Sequence, residues 1–428
     1  METSDILSRA YSAWNACSEL RSRRLRCKRF TYGDQWSDLV RNNDGHYVTE
    51  YDAAIKSGKK VYTNNLIRQL VKTVVGRYRT EALENGLYGG EIAAIATTNN
   101  LPELDARTLE EFLISGCAIH RVTDERRWNG EGIWVDTVDP RRFFVNAFSD
   151  PRGWDIELVG MLHDMTLPEM VNRFGGGDPE RAAMLNRAFD ATNGEPALSS
   201  HCNGDSFFTP TGSGKCRVIE VWTFDSRPCN ESSTDSVFCW HCRYFAPDGT
   251  LLSEFDSPYA HGGHPFAIKF YPLTDGEVHP FVEDVLDQQK YINRLIVMLD
   301  HILACSAKGV LLFPMGQLPA GIDLERVADA WSSPDGVIPI TGHGNCLPQQ
   351  VSTYTGSPGA YQLLELQMKL FEQVSGVGSA LMGRSSNARG ATMLDSEVRN
   401  ASIALADLFQ TFTSFTTERN RLALSTRA

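Results

Sequence analysis

Long apolar runs are the first thing this 428-residue chain does without. The best candidate, Gly309 to Phe313, stops at Pro314, far short of the ~18 residues of a membrane-spanning helix. Met1 to Cys17 has no apolar stretch behind basic residues, so no secretory leader is expected. Cysteine is also sparse. Ten in the chain are too few for a disulfide scaffold and fit reduced, partly buried thiols. These absences predict a soluble protein made inside a cell. Positive charge is short as well, with 41 Lys+Arg against 53 Asp+Glu and a net −12. That excludes a protein gripping nucleic acid over its whole surface, which needs clustered cations. No nucleophile elbow, no zinc-protease helix and no recognisable carboxylate pair occurs, so nothing positive supports an enzyme and no cofactor is expected.

Three patterns come near to chemistry and stop short of it. Gly214-Lys215 follows glycine-rich sequence, but Thr209 and Cys216 occupy positions where a phosphate loop needs Gly and Ser or Thr. A strand is expected next, which offers no helix N-terminus to a phosphate. Cys239 and Cys242, with Cys229, His201 and Cys202 upstream, have zinc-ligand chemistry but no second matching pair. Three apart in a strand, Cys239 and Cys242 point to opposite faces, so ordinary strand cysteines are expected and no metal. His261 and His264, followed by His279 and flanked by Pro258 and Pro265, read as a turn rather than an acid–base pair.

What is present is an asymmetry. Residues 1–80 hold 15 Lys+Arg against 8 Asp+Glu, or +7; the remainder holds 26 against 45, or −19. The positive excess peaks at Arg21, Arg23, Arg24, Arg26, Lys28 and Arg29. Such a run is either a solvated helix face or a docking surface for an acidic partner or nucleic acid. Phe30, Tyr32 and Trp36 beside it suit contact or simple packing alike. Hydrophobic residues make up 42%, as in globular proteins, and the length suggests two or three compact units.

Periodicity predicts a helix over Ile6 to Phe30, with Ile6, Ala10, Trp14, Cys17 and Leu20 on one face, and others over Asn64 to Tyr78 and Pro102 to Ser115. Period-two alternation then takes over from Ala118 to about Phe148. A short helix, Leu167 to Arg173, precedes a polar span, 178–215, read as a long loop or insertion. Strands resume at Arg217 to Thr223 and Val237 to Phe245, turn at Asp248-Gly249 and return through Thr250 to Phe255. A long helix is expected from Phe281 to Ala307, then only small strands and turns over 309–350. Ser357-Pro358 opens another helix to Val374. Leu394, Val398, Ala401, Leu405, Leu408, Phe412 and Phe415 alternate spacings of four and three, which fits a helix laid on a packed surface or a short coiled coil.

The order of these elements resembles the portal proteins of tailed bacteriophages. Arg29 to Trp36, then Asn64 to Arg68 and Val75-Gly76, are similar to the family's opening. Val138 to Phe144 and Asp150 to Asp155 follow in the same way. His264-Pro265-Phe266, Tyr271-Pro272, Asp275-Gly276-Glu277, Asp284 to Asn293 and Ala307-Lys308-Gly309 carry the strongest likeness, which spans roughly residues 20–420. The resemblance implies an α+β, portal-like elongated subunit completed by its neighbours. Residues 1–280 would be the wing, helices plus a small antiparallel sheet, and 281–308 the first stem helix. Residues 309–356 would be a small α/β clip, 357–375 the second stem helix, 376–390 the tunnel loop and 391–428 a long helix toward wing and crown, the crown being small or missing.

The same resemblance implies a homo-oligomeric ring, usually of twelve subunits, at one capsid vertex of the virion, assembled in the host cytoplasm. Double-stranded DNA would enter and leave through its channel. Terminase large subunit, major capsid protein and neck or tail adaptor would be partners, and no membrane is involved. An acidic body suits a conduit by repelling DNA. Arg384, Asn387 and Arg389 in the glycine-punctuated loop, with Lys308 and Lys369 near the stem ends, are the channel candidates; for the loop arginines, simple solvation is the other reading. The basic run is the candidate for docking capsid or another partner. Two readings from other classes are a zinc- or histidine-dependent hydrolase using the 201–264 Cys/His cluster, and a binding protein using the basic N-terminal arm.

Overall fold

The computed structural model describes residues 3–42, 44–127, 130–193, 206–210, 212, 214–228, 236–306, 310–312, 323–332, 349–351, 358–377 and 403–426. Its helices are α1 (Thr3–Ala16), α2 (Ser18–Thr31), α3 (Glu50–Lys56), α4 (Leu66–Glu84), α5 (Ala93–Asn99), α6 (Leu101–Ser115), α7 (Leu167–Phe174), α8 (Pro179–Asn193), α9 (Leu286–Ser306), α10 (Leu324–Ser332), α11 (Pro358–Ser375) and α12 (Ala406–Ser425). Its strands are β1 (Leu39–Arg41), β2 (Tyr47–Thr49), β3 (Cys117–Arg127), β4 (Gly130–Thr137), β5 (Phe143–Val145), β6 (Leu158–Met165), β7 (Cys216–Pro228), β8 (Ser236–Phe245), β9 (Leu251–Asp256), β10 (Phe266–Phe270), β11 (Pro272–Thr274), β12 (Glu277–Val278), β13 (Val310–Leu312) and β14 (Gln349–Val351). All strand pairs are antiparallel. Helices and small antiparallel sheets together make this an α+β chain. It divides into two compact units: Met1–Asp34 with Asn65–Asp287 and Glu372–Ala428, and Gln35–Asn64 with Gln288–Phe371.

The first unit is built on a five-stranded meander, β5-β6-β7-β8-β9, and a three-stranded sheet, β10-β3-β4. Alternation along β7 divides its side chains between two cores. Cys216, Val218 and Trp222 join Val159, Tyr244, Phe143 and Phe266 on one face. Ile219 and Val221 join Leu158, Leu162 and Phe245 on the other, beneath Ile6, Ala10 and Trp14 of α1. Over residues 216–223 this central strand is buried on both faces and is largely apolar; the polar residues within that stretch, Arg217, Glu220 and Thr223, are all buried and need partners.

Local signals set the helix ends. The Asn65 side chain accepts the Arg68 N–H at the start of α4. Thr166 and Glu169 form a reciprocal capping box on α7. Gly116 closes α6 at φ 72°, where a Cβ would meet Val278 Cγ1 at 2.6 Å; only glycine fits both the turn and the space.

Four expectations are corrected. The helix expected over Ile6 to Phe30 is two, α1 and α2, broken at Cys17 (ψ 6°). Residues 178–215 are not all loop: α8 fills 179–193 and sends Leu185 and Ala188 into the core beside Phe174. The polar average of the span hid this apolar edge. The 309–350 stretch, expected to hold only small strands and turns, contains the nine-residue helix α10 as well as β13, which pairs with β14. Between α2 and α4, where no element was expected, the chain forms β1, β2 and α3. Of the 391–428 helix, the structure describes 403–426, and 391–402 lie outside the described residues.

Candidate functional site

The basic run lies on α2 and is largely committed within its own unit. Arg24 is 4% exposed and donates to both Glu111 oxygens at 2.5 and 2.9 Å, with Asp139 at 3.5 Å. A buried guanidinium with two carboxylates is an internal clamp, not a docking group. Arg23 donates to Glu19 and to the Val278 carbonyl, tying α2 to β12. Arg21 donates to the Trp14 carbonyl at 2.7 Å and lies 3.7 Å over that indole, holding α1 to α2 across the break. Arg29 pairs with Asp34 at 2.9 Å. Arg26 is exposed and Lys28 half-exposed, so these two present the run's charge outward most directly.

Of the channel candidates, Lys369 is exposed on α11 and pairs with Glu365 one turn away at 2.9 Å. Lys308, Arg384, Asn387 and Arg389 lie outside the described residues. Of the five, Lys369 alone is among the described residues.

Among the described residues, the Cys/His cluster forms no metal-holding group. Cys242 is buried and burial pushes its thiol up. Cys239 is half-exposed on the opposite strand face from Cys242 by register. His241 meets Asp256 at 2.8 Å and Glu254 at 3.5 Å. Among the described residues no His, Cys, Asp and Glu group is arranged to hold a metal; His201, Cys202 and Cys229 lie outside them. His261 Nδ1 accepts the Gly263 N–H and His264 Nδ1 the Phe266 N–H, so the pair holds a turn between β9 and β10. Both rings line a cavity of about 570 Å³ with Trp154, Phe224, Trp240, Glu418 and Arg421, and neither rests on a nucleophile.

Two polar constructions were not anticipated. In the first unit, Arg419 of α12 and Asp105 of α6, both fully buried, join at 2.8 and 3.1 Å. Burial pushes the Asp105 carboxyl up, opposed by the guanidinium. His120, hydrogen-bonded to Thr108 and edge-on to Phe415, is kept neutral by burial and by Arg419. Nearby, Glu220 receives Arg121 at 3.1 Å, His163 at 2.6 Å and Trp222 at 2.7 Å. Burial would raise this carboxyl, but Arg121 and these hydrogen bonds hold it well below the usual range.

In the second unit, α9 holds the 35–64 excursion by polar contacts. Lys290 reaches Asp38 and Glu50, each at 2.7 Å, and Arg294 reaches Glu50 at 2.8 Å. Asn293 donates to Gln35 and accepts the Asn64 N–H, while Gln289 donates to the Asn64 carbonyl at 2.6 Å. Along α9 the exposed positions among the described side chains are Asp287, Tyr291, Arg294, Met298, Ile302 and Leu303, and four of these six are apolar or aromatic.

Comparison with known families bears on what this subunit does. The family model for phage P22-like portal proteins matches residues 7–425. The chain belongs to that family. It is a phage portal protein: a structural, ring-forming component of the capsid with capsid-associated partners. Nothing in the described residues supports the hydrolase alternative. A search of curated protein sequences finds no match. No helix of the described residues is long and apolar enough to cross a membrane.

Proposed function

We propose that this portal forms a ring of about twelve subunits through which double-stranded DNA is packaged and later ejected. The residues from 309 to 356 form the clip that meets terminase and then the neck or tail adaptor. Helices α9 and α11 are the stem. Residues 376–390 form the tunnel loop, and Arg384, Asn387 and Arg389 touch passing phosphates. The observation that carries the ring geometry is the α9 stripe. A helix that faces only its own subunit keeps polar residues on its outer side; Tyr291, Met298 and Ile302 there call for a second apolar surface, and a neighbouring stem supplies it. The charge distribution supports the conduit role, since a −19 body repels DNA and avoids the tight phosphate contacts that would stall translocation.

Negative-stain microscopy and light scattering of the purified chain, alone and with its scaffold, test the reading. Closed rings are expected. A chain that stays monomeric at high concentration in both conditions would overturn it.

A further inference from the structure

A ring of identical subunits closes only through head-to-tail contacts, which need two different surfaces on each subunit that fit one another. The unit formed by Gln35–Asn64 and Gln288–Phe371 carries two such surfaces. We propose that the excursion β1–β2–α3 of one subunit covers the α9 stripe at Met298 and Ile302 of its ring neighbour. This rests on the ring reading above and goes beyond it by naming both halves of one interface.

The first surface carries exposed apolar and aromatic side chains. Leu39 pairs with Thr49 and Arg41 with Tyr47, so Leu39 and Tyr47 share one face of the ribbon; they are 66% and 73% exposed. Tyr51 and Ile55, one turn apart on α3, are exposed too, as is Tyr62. Five large apolar or aromatic side chains in thirty residues of open surface mark a contact site rather than a solvated loop, and tyrosine is enriched where interfaces carry their energy.

The second surface is the far part of the α9 stripe. The subunit's own excursion reaches Arg294 through Glu50. One turn on, Met298 and then Ile302 remain exposed.

Charge favours joining these unlike surfaces over joining like to like. Asp38 and Glu50 are engaged by Lys290 and Arg294, and Lys56 faces Asp44 at 3.8 Å. The excursion then keeps Arg41, Lys59 and Lys60 against Asp52, a balance of +2. With Lys369 on Glu365, the parts of α9 and α11 within this unit keep Asp300, a balance of −1. Two excursions would repel, whereas Asp300 on the stem favours the unlike pairing. The contacts of Gln289, Lys290, Asn293 and Arg294 also fix the excursion before assembly, which lowers the ordering cost of binding.

The test is oxidative cross-linking of the full chain with Tyr47→Cys and Ile302→Cys combined, each single variant serving as the control for native thiols. The double variant is expected to give a ladder of covalent oligomers on a denaturing gel, and the singles monomer only. A double variant that forms rings by microscopy yet stays monomeric on the gel, or closes its disulfide within one subunit, overturns the proposal and leaves the ring reading standing. Absence of rings in the unmodified chain overturns both. Independently, Leu39→Asp with Tyr47→Asp should reduce the assembled fraction at least tenfold with the melting of the unassembled subunit unchanged. Rings at the unmodified level would overturn the assignment.

Discussion

His264 shows what a single half-buried group does to this fold. Its Nδ1 accepts the Phe266 N–H, its ring meets Trp240 edge-on at 4.6 Å, and burial, with His261 nearby, pushes its pKa down to about 4. A histidine in the unfolded chain titrates near 6.5. Between those values the unfolded state takes up a proton that the folded state refuses, so stability falls as pH drops from about 6.5 toward 4 and is level above that window. The loss from this one ring is on the order of 1–3 kcal/mol at the low end. Burial also pushes His120 and His163 down, so the trend is shared. His264→Gln should make melting temperature fall less between pH 7 and 4.5 than it does in the unmodified portal. Superimposable profiles would show that the ring does not refuse the proton.

Helix α12 is an element held by one ion pair inside an apolar seam. Leu408, Phe412, Phe415, Arg419 and Ala423 are all buried, and Phe412 packs on Phe112 and edge-on to Tyr78. Arg419→Ala would leave Asp105 as an uncompensated buried charge and should cost about 3–5 kcal/mol. Arg419→Met with Asp105→Leu, which removes both charges, should recover most of that loss. Thermal melting of the full chain checks the pair; a double variant no better than Arg419→Ala would mean that the contact does more than neutralise Asp105. The spacing that revealed this helix ran through Leu408, Phe412 and Phe415, and the next step of four lands on Arg419. An arginine in an apolar stripe is a signal for a buried carboxylate, though the sequence does not say that Asp105, 314 residues away, is the one. Strong periodicity made α4, α6, α7, β7, β8 and α9 legible. Strands β1 and β2 are three residues each, too short for alternation to register, and α8 was concealed within a polar window. The α2 run was visible as charge, whereas its division into a buried clamp and an outward pair depends on which partners folding brings to Arg24.

For the whole molecule, charge and assembly govern behaviour together. On the proposed conduit reading, in which an acidic body repels DNA, the few cations of the 376–390 loop would decide how strongly the channel holds its cargo. Replacing Arg384 and Arg389 with Ala is expected to alter DNA packaging or genome retention while rings still form, as read by packaged DNA per particle and by microscopy. Loss of rings would assign these residues to assembly instead. The 35–64 excursion has a further consequence, for the order in which the subunit is made. Its polar anchors, Gln289, Lys290, Asn293 and Arg294, come 225 to 258 residues later in the chain. At about 5–20 residues per second, the excursion, with Tyr47, Tyr51 and Tyr62 exposed, waits tens of seconds on the ribosome before its anchors emerge. During that time its exposed face is available to any other apolar segment, so the yield of assembly-competent subunits depends on translation speed and chaperone supply as much as on final stability.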